Sequence, residues 1–455
     1  MALKVWLPLS GNTTNYGLSN VPVYTKNTQY GNGILGGRCF NTDTTHYIYG
    51  FYNIPFDASE FTITAWIKEG NSISTGAVIF ALQKDESDEV KENIILLEKT
   101  SNGGYGIPTL TSEELIPSLS AGWNHIAISA NGTMVKAYLN GALVKETSQT
   151  STGTVTVNED CHYVIGGKVN GNIQQFSVVN NWIGSICGFK LYDNELSLFE
   201  VAAEANALVL NYSFNGKVSL GTGVTLPAGT TTETFGFGDK EYDLSGNMFD
   251  GTFGENLPTS SSDTAMYSNS MDFSESSGIT SANIITTEFA SRYTISIWAK
   301  GTGNILSIGD WDVVSATDAN DWHNIVVTSA GKKYVDGIET GTVSGSMPTG
   351  ANAVVVGLGF SGKLSDLRIY AKQMTADEIA TLYTRKAAVD NTGKLIATEF
   401  IVDDEIEKPS FNKKGVISTA GLDNWTGESD SPVDVTSFSI VAETGDVKAV
   451  DVMEF

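Results

Sequence analysis

The sequence predicts an all-β protein: two tandem antiparallel β-sandwiches followed by a small C-terminal β-rich module. Three observations carry that prediction. Glycine is abundant (47 residues) and proline sparse (10), as suits a chain with many tight turns. Apolar and polar residues alternate over short runs, the period-2 signature of half-buried strands. The same ordered set of runs occurs twice, which marks a repeat of domain size.

The elements follow in order. Leu3 to Leu9 reads as a first strand closed by Ser10-Gly11, and Leu208 to Phe214 matches it, closed by Asn215-Gly216. Turns built on Asx side chains and glycine come next, at Tyr16 to Asn20 in the first copy and Tyr242 to Asn247 in the second. Phe61 to Lys68 and Tyr293 to Lys300 alternate cleanly, each with a Trp two residues before the closing Lys. The run Trp123 to Gly141 is then a hairpin meander with turns at Asn131-Gly132 and Asn140-Gly141. Both turn residues tolerate the positive φ that such turns demand. Asp321 to Gly337 repeats the device with Ala330-Gly331 and Asp336-Gly337, and Val164-Ile165-Gly166 is echoed by Val355-Val356-Gly357. Each copy closes on a strand ending in Tyr192 or Tyr370, then a helical start. Ser197-x-x-Glu200 and Thr375-x-x-Glu378 are capping boxes, in which hydroxyl and carboxylate satisfy each other's backbone amides. These are the only helices expected. The first copy spans 1–207, the second 208–386, and residues 387–455 form an acidic β-rich module suited to assembly or attachment. The first copy is longer mainly between Trp66 and Trp123, and the extra length is expected in loops at one end of the sheets.

Composition excludes several classes. The formal charge of −25 and pI near 4.4 would repel nucleic acid and anionic membrane surfaces. No apolar run approaches the roughly 20 residues that span a bilayer. Cys39, Cys161 and Cys187 are an odd count at wide spacing, neither a disulfide framework nor a zinc site, and read as small buried hydrophobes made in a reducing cytoplasm. The opening MALKVWLPLSGN reads as a strand and not as a signal peptide.

The ordered motifs are D-x-S-G-N-x-x-D-G-T (Asp243 to Thr252), I-x-x-W-x-K, W-x-x-I-x-V, a Y-x-D/N-G hairpin, G-x-I/L-x-x-x-x-I/L-Y and a capped T-x-x-E-I helix. Together they resemble the concanavalin A-like, laminin-G-like jelly-roll domain. The resemblance covers both copies and implies a fold that hosts lectins, adhesion modules and glycosidases alike. In general style the chain is also similar to structural proteins of tailed bacteriophages. That likeness implies a non-enzymatic virion appendage (tail fibre, baseplate or head fibre) adhering to bacterial surface polysaccharide. Its other virion partners would be held through the C-terminal module, as a homo-oligomer. The alternatives are a decoration protein with purely structural sandwiches, a bacterial adhesin or carbohydrate-binding module, and a glycan depolymerase.

Chemistry-bearing residues are few. A glycosidase of this fold would place paired acids on one apolar-backed strand. Glu86 to Glu89 reads as a loop, and Asp403 to Glu407 lies outside both copies, so catalysis is not expected. His125 and His323 are out of register in the two copies and cannot share a role. No cofactor is required. Calcium is the metal that the resemblance admits, with Asp243, Asn247 and Asp250 as its candidate ligands. Trp66, Trp123, Trp298 and Trp322 occupy repeated strand positions and read as core. The glycan contacts are sought instead among aromatics lacking a counterpart in the other copy: Tyr47, Tyr49, Tyr52, Tyr105, Trp182 and Trp311.

Overall fold

The structure, a computed structural model, describes residues 3–17, 23–52, 58–85, 91–150, 161–170, 177–214, 240–265 and 270–385, with short strands at 387–389, 395–397, 416–418, 437–441 and 453–454. The chain divides into two compact units, one of residues 1–209 with 285–289 and 349–351, the other of residues 210–284, 290–348 and 352–455.

The first unit begins with β1 (Leu3–Leu7), β2 (Val23–Lys26), β3 (Tyr30–Asn32), β4 (Arg38–Thr42), β5 (Tyr47–Tyr52) and β6 (Glu60–Glu69). It continues through β7 (Val78–Asp85), β8 (Lys91–Lys99), β9 (Tyr105–Gly106), β10 (Trp123–Asn131), β11 (Met134–Leu139) and β12 (Ala142–Ser148). It closes with β13 (Cys161–Ile165), β14 (Lys168–Asn170), β15 (Ser177–Val179), β16 (Gly184–Tyr192) and α1 (Leu198–Glu204). One sheet has the order β12-β11-β10-β6-β16-β4-β3, with β1 on β16, and a second has the order β2-β5-β13-β7-β8-β9. All pairings within them are antiparallel. Their inner faces meet in a core that includes Phe40, Ile63, Phe80, Ile95, Ile128, Tyr163 and Phe189. The expected alternation sets this up: along β10, Ile126 and Ile128 enter that core, while Ala127 joins Trp6, Tyr138, Tyr192 and Val201 beneath α1 on the other face.

The second unit contains β17 (Leu208–Tyr212), β18 (Lys240–Glu241), β19 (Gly251–Phe253), β20 (Thr259–Ser261), β21 (Ser270–Phe273) and β22 (Ile279–Ser281), and the division of the chain falls within β23 (Ile284–Ile285). Then come β24 (Thr294–Ile308), β25 (Trp311–Thr328), β26 (Lys332–Val335), β27 (Ile338–Thr342), β28 (Ala351–Asn352, which a second division of the chain also splits), β29 (Val354–Val356), β30 (Phe360–Tyr370) and α2 (Ala376–Arg385). What the first unit splits into β6 and β7 is here one strand. The first stretch of β24 pairs with β30 and its last three residues pair with β29. The hairpin β24–β25 runs along both stretches, with register shifts between Ala299 and Gly301 and on either side of Leu306.

Both capping boxes form. The Ser197 hydroxyl accepts the Glu200 amide while the Ser197 amide donates to the Glu200 carboxylate, and Thr375 and Glu378 do the same for α2. The turns form as expected, with positive φ at Asn140-Gly141 and Asp336-Gly337. One expectation fails. The added length after Trp66 is not a loop-borne surface, because Tyr105, Ile107, Leu110, Leu115 and Ile116 turn inward and complete the first core. Apolar residues in a long connection gain more by burial than by solvent exposure. Of the Asp85–Glu92 charged run, Asp85 pairs with Lys91 at the ends of β7 and β8, and 86–90 lie outside the described residues. Much of the C-terminal module lies outside the described residues. Within it Ala387–Val389 pairs with Leu395–Ala397, and Ser437–Val441 pairs with both Val416–Ser418 and Met453–Glu454.

Candidate functional site

The register of the six-stranded sheet builds a row of side chains on its outer face. Tyr24 on β2 is opposite Tyr49 on β5, Tyr49 is opposite Val164, Val164 opposite Ala81, and Ala81 opposite Leu96. At the sheet edge the Tyr24 and Tyr49 rings stack with centroids 5.4 Å apart at 23°. Tyr47 lies behind them at 6.3 Å from Tyr49. Tyr24 is 45% exposed, Tyr49 is half-buried and Tyr47 is buried. The polar rim sits at one end of the pair. Exposed Lys26 is opposite Tyr47, and the Asn27 amide donates to the Thr45 carbonyl. Farther along the row the face closes, and Val164, Ala81 and Leu96 are all buried. Gln83, on that same face, fixes the β14–β15 hairpin against β7: its Oε1 accepts the Val169 amide at 2.8 Å and its Nε2 donates to the Val169 carbonyl at 3.3 Å.

The second unit builds the same row with other chemistry. Val355 holds the repeat position of Val164, and the row reads Thr252, Thr280, Val355, Ser307, Asp312. Thr252, Thr280 and Asp312 are exposed and the other two are half-buried. Here β29 passes to β30 through Gly357-Leu358-Gly359 alone, with no hairpin comparable to β14–β15. Asp312 Oδ1 accepts from the Ser307 hydroxyl (2.7 Å) and the Asn304 amide (3.0 Å). One face is thus aromatic at its edge and roofed beyond it, and the other is open and lined with hydroxyl, amide and carboxylate groups.

The predicted contacts divide accordingly. Tyr47 and Tyr49 come together. Tyr52 ends β5 opposite Cys161, and its side chain lies outside the described residues. Tyr105 and Trp182 need correction as glycan contacts, because both are fully buried in the first core. The Trp182 indole N–H donates to the Tyr105 hydroxyl at 2.9 Å, and that hydroxyl donates to Glu69. Neither ring has a face to offer a sugar. Trp311 is half-buried, crosses Tyr293 edge-on at 5.7 Å and donates its N–H to the Ser344 carbonyl. Opposite Ile308, it points away from the face of Asp312. The stacked partner Tyr24 is not among the aromatics predicted from the sequence; the alternation in Val23-Tyr24-Thr25-Lys26 marks a strand, and only the sheet order places that strand at an edge.

The calcium candidates build a turn. Asp243 Oδ1 accepts the Asn211 and Ser245 amides, and Oδ2 accepts the Ser245 hydroxyl and the Phe249 amide. These four donors fill the acceptor sites of the carboxylate, which corrects its assignment as a metal ligand. Asn247 donates to Ser245, and Asp250 accepts the Asp243 amide. Among the described residues no group of three or more His, Cys, Asp or Glu side chains is arranged to hold a metal ion.

Glu241, buried beside this turn, accepts the Phe214 amide at 2.8 Å. Burial pushes its carboxyl up to about 7, the Phe214 hydrogen bond works against that rise, and the negative charge of Asp250 adds to it. The folded value lies above the ordinary 4.5, so the folded unit binds more protons between 4.5 and 7 and loses stability as pH rises through that window. Glu241→Gln is expected to stabilise the second unit at pH 8 by about 2–3 kcal/mol and to change little at pH 4. Denaturant melts at the two pH values check this, and an equal effect at both would refute it.

Comparison with known proteins agrees with this architecture. Residues 42–202 match the laminin-G-type family model described as the concanavalin A-like lectin/glucanases superfamily. The first unit is therefore a concanavalin A-like β-sandwich, as its motifs implied. No curated protein matches the chain significantly. Among solved structures it is similar to domain 4 of AbnA, an extracellular arabinanase from Geobacillus stearothermophilus, in complex with arabinotriose (14% identity, 45% of this chain and 98% of that one, TM-score 0.30). It is also similar to the binding domain of Paraclostridial Mosquitocidal Protein 1 (13% identity, 81% and 91%, TM-score 0.33) and to the botulinum neurotoxin serotype D binding domain (13% identity, 80% and 97%, TM-score 0.33).

Proposed function

We propose that this protein is a non-enzymatic adhesion protein that binds bacterial surface glycan, and that it acts as an appendage of a phage virion. The observation that carries the glycan reading is the stacked Tyr24–Tyr49 pair. It is an accessible aromatic platform at a sheet edge with amide and ammonium groups at one end. A pyranose offers an apolar C–H face to such a ring and hydroxyls to the polar groups beside it, and an aromatic with a wet rim suits a binding surface. The virion assignment rests on the tandem sandwiches and on the likeness in style noted above. The face needs no metal in this reading.

Tyr24→Ala and Tyr49→Ala are each expected to weaken binding to purified surface polysaccharide about 10-fold, the loss of roughly 1–1.5 kcal/mol of ring contact. Melting temperatures should hold, and a chelator should leave binding unchanged. Undiminished binding by the double variant would sink the platform. The open row of the second unit favours a second reading, in which hydroxyl and carboxylate groups on that face carry the contact. Loss of binding in Thr280→Lys, with retention in the tyrosine variants, would select it.

A further inference from the structure

Two of the three cysteines, read from the sequence as unrelated, are neighbours in the fold. β4 and β16 run antiparallel with Thr42 opposite Gly184, Asn41 opposite Ser185 and Phe40 opposite Ile186. One step farther along both strands stand Cys39 and Cys187. Phe40 and Ile186 enter the main core of the first unit, so alternation turns both cysteines to the opposite face of the sheet. The paired stretch ends at Phe40 and Ile186, and continuing the same register would set the two Cα atoms about 4.5–5.5 Å apart, inside the span of about 4.4–6.8 Å that a disulfide bridges. Both are free thiols and almost fully buried. The Cys39 Sγ lies 3.4 Å from the Asn32 carbonyl oxygen and 3.6 Å from Asn41 Oδ1. Cys161 is in the other sheet, on β13, and cannot compete for either partner.

We propose that Cys39 and Cys187 form an oxidisable pair, a modification site at which a peroxide closes a disulfide between β4 and β16. One thiol reduces the peroxide and becomes a sulfenic acid, releasing a first water. The second thiol attacks that sulfur, forms the S–S bond and expels the oxygen as a second water. Two thiols and one hydrogen peroxide thus give one disulfide and two waters. The bond would join positions far apart in sequence, so it would hold the first unit closed once the protein meets an oxidising medium. Burial raises both thiols above the ordinary range, so the reaction is expected to be slow at neutral pH and faster at pH 9.

The test treats the full-length protein with hydrogen peroxide at pH 9, blocks the remaining thiols and maps peptides without reduction. The expected result is a Cys39–Cys187 linked peptide that disappears on reduction. The melting temperature of the first unit should rise by about 5–10 °C. Cys161→Ser should behave like the unaltered chain, and Cys39→Ser and Cys187→Ser should lose both the link and the rise. Should those two variants fail to fold, the peptide map of the unaltered chain decides alone. A link that contains Cys161, or Cys39 and Cys187 recovered reduced or as separate sulfinic acids, overturns the proposal.

Discussion

Trp182→Ala is expected to destabilise the first unit by about 4 kcal/mol, with a fall in melting temperature of about 10 °C. The indole is fully enclosed in the main core. Truncation leaves a cavity, and it also removes the N–H that the Tyr105 hydroxyl accepts at 2.9 Å. That hydroxyl belongs to a connected set. It donates to Glu69, which also receives the Lys99 ammonium, and that ammonium sits 5.1 Å from the centre of the Tyr105 ring. Repacking is hindered nearby. A Cβ at Gly184 would lie 2.4 Å from the far edge of the Trp182 ring, so this backbone is already in close contact with the indole. Trp182→Phe keeps most of the volume and should cost less, chiefly the hydrogen bond and a smaller cavity. Calorimetric melts give the stability, and polysaccharide binding measured well below the transition gives the function. A normal melt with lost binding would return Trp182 to the ligand surface.

Acid is expected to weaken the first unit through His125. Its ring packs 5.2 Å from Trp66 and is almost fully buried, and its Nδ1 has no hydrogen-bond partner. Burial pulls the imidazole down to about 4, with the Glu204 carboxylate opposing that fall and the Lys190 ammonium adding to it. The unfolded chain, with the ordinary value of 6.5, binds more protons than the folded one between 6.5 and 4. Stability is therefore full above pH 6.5 and is lost as pH falls through this window, by about 3 kcal/mol in all. Denaturant unfolding from pH 7 to pH 4 measures the slope, and His125→Phe should flatten it. An unchanged slope in that variant would place the acid sensitivity elsewhere. His323 occupies the neighbouring repeat position and behaves in the opposite way. It bridges Asp336 at 2.7 Å and Asp318 at 3.3 Å, and these hydrogen bonds raise it despite partial burial. One register step separates a neutral, enclosed imidazole from a paired, accessible one.

Local rules were sufficient for much of this molecule. Alternation from Phe61 to Lys68 and from Trp123 to Ile128 determined strands with one face inward, because side chains on a pleated backbone point alternately to its two sides. Asn140-Gly141 and Asp336-Gly337 determined turns, since few other residues accept positive φ. Ser197 with Glu200, and Thr375 with Glu378, determined where the helices start, because capping involves only groups three residues apart. The repeat, and with it the sandwich class, was legible for the same reason.

What depends on pairing between distant strands was decided by the tertiary structure alone. Tyr24 meets Tyr49 through the register of β2 on β5, and Cys39 and Cys187 stand one residue beyond the paired stretch of β4 on β16. No spacing along the chain encodes either arrangement. Tyr105 and Trp182 were conspicuous as unmatched aromatics, yet they are enclosed because the long connection after β8 folds inward over the core. Exposure depends on what lies above a residue, and in the first unit that includes segments far away in sequence. The same sheet row is roofed in one unit and open in the other because β14–β15 intervenes before β16, whereas three residues suffice before β30. A sequence specifies its strands by local periodicity, but the chemistry of a sheet face is set by register and by cover, and both are properties of the folded chain.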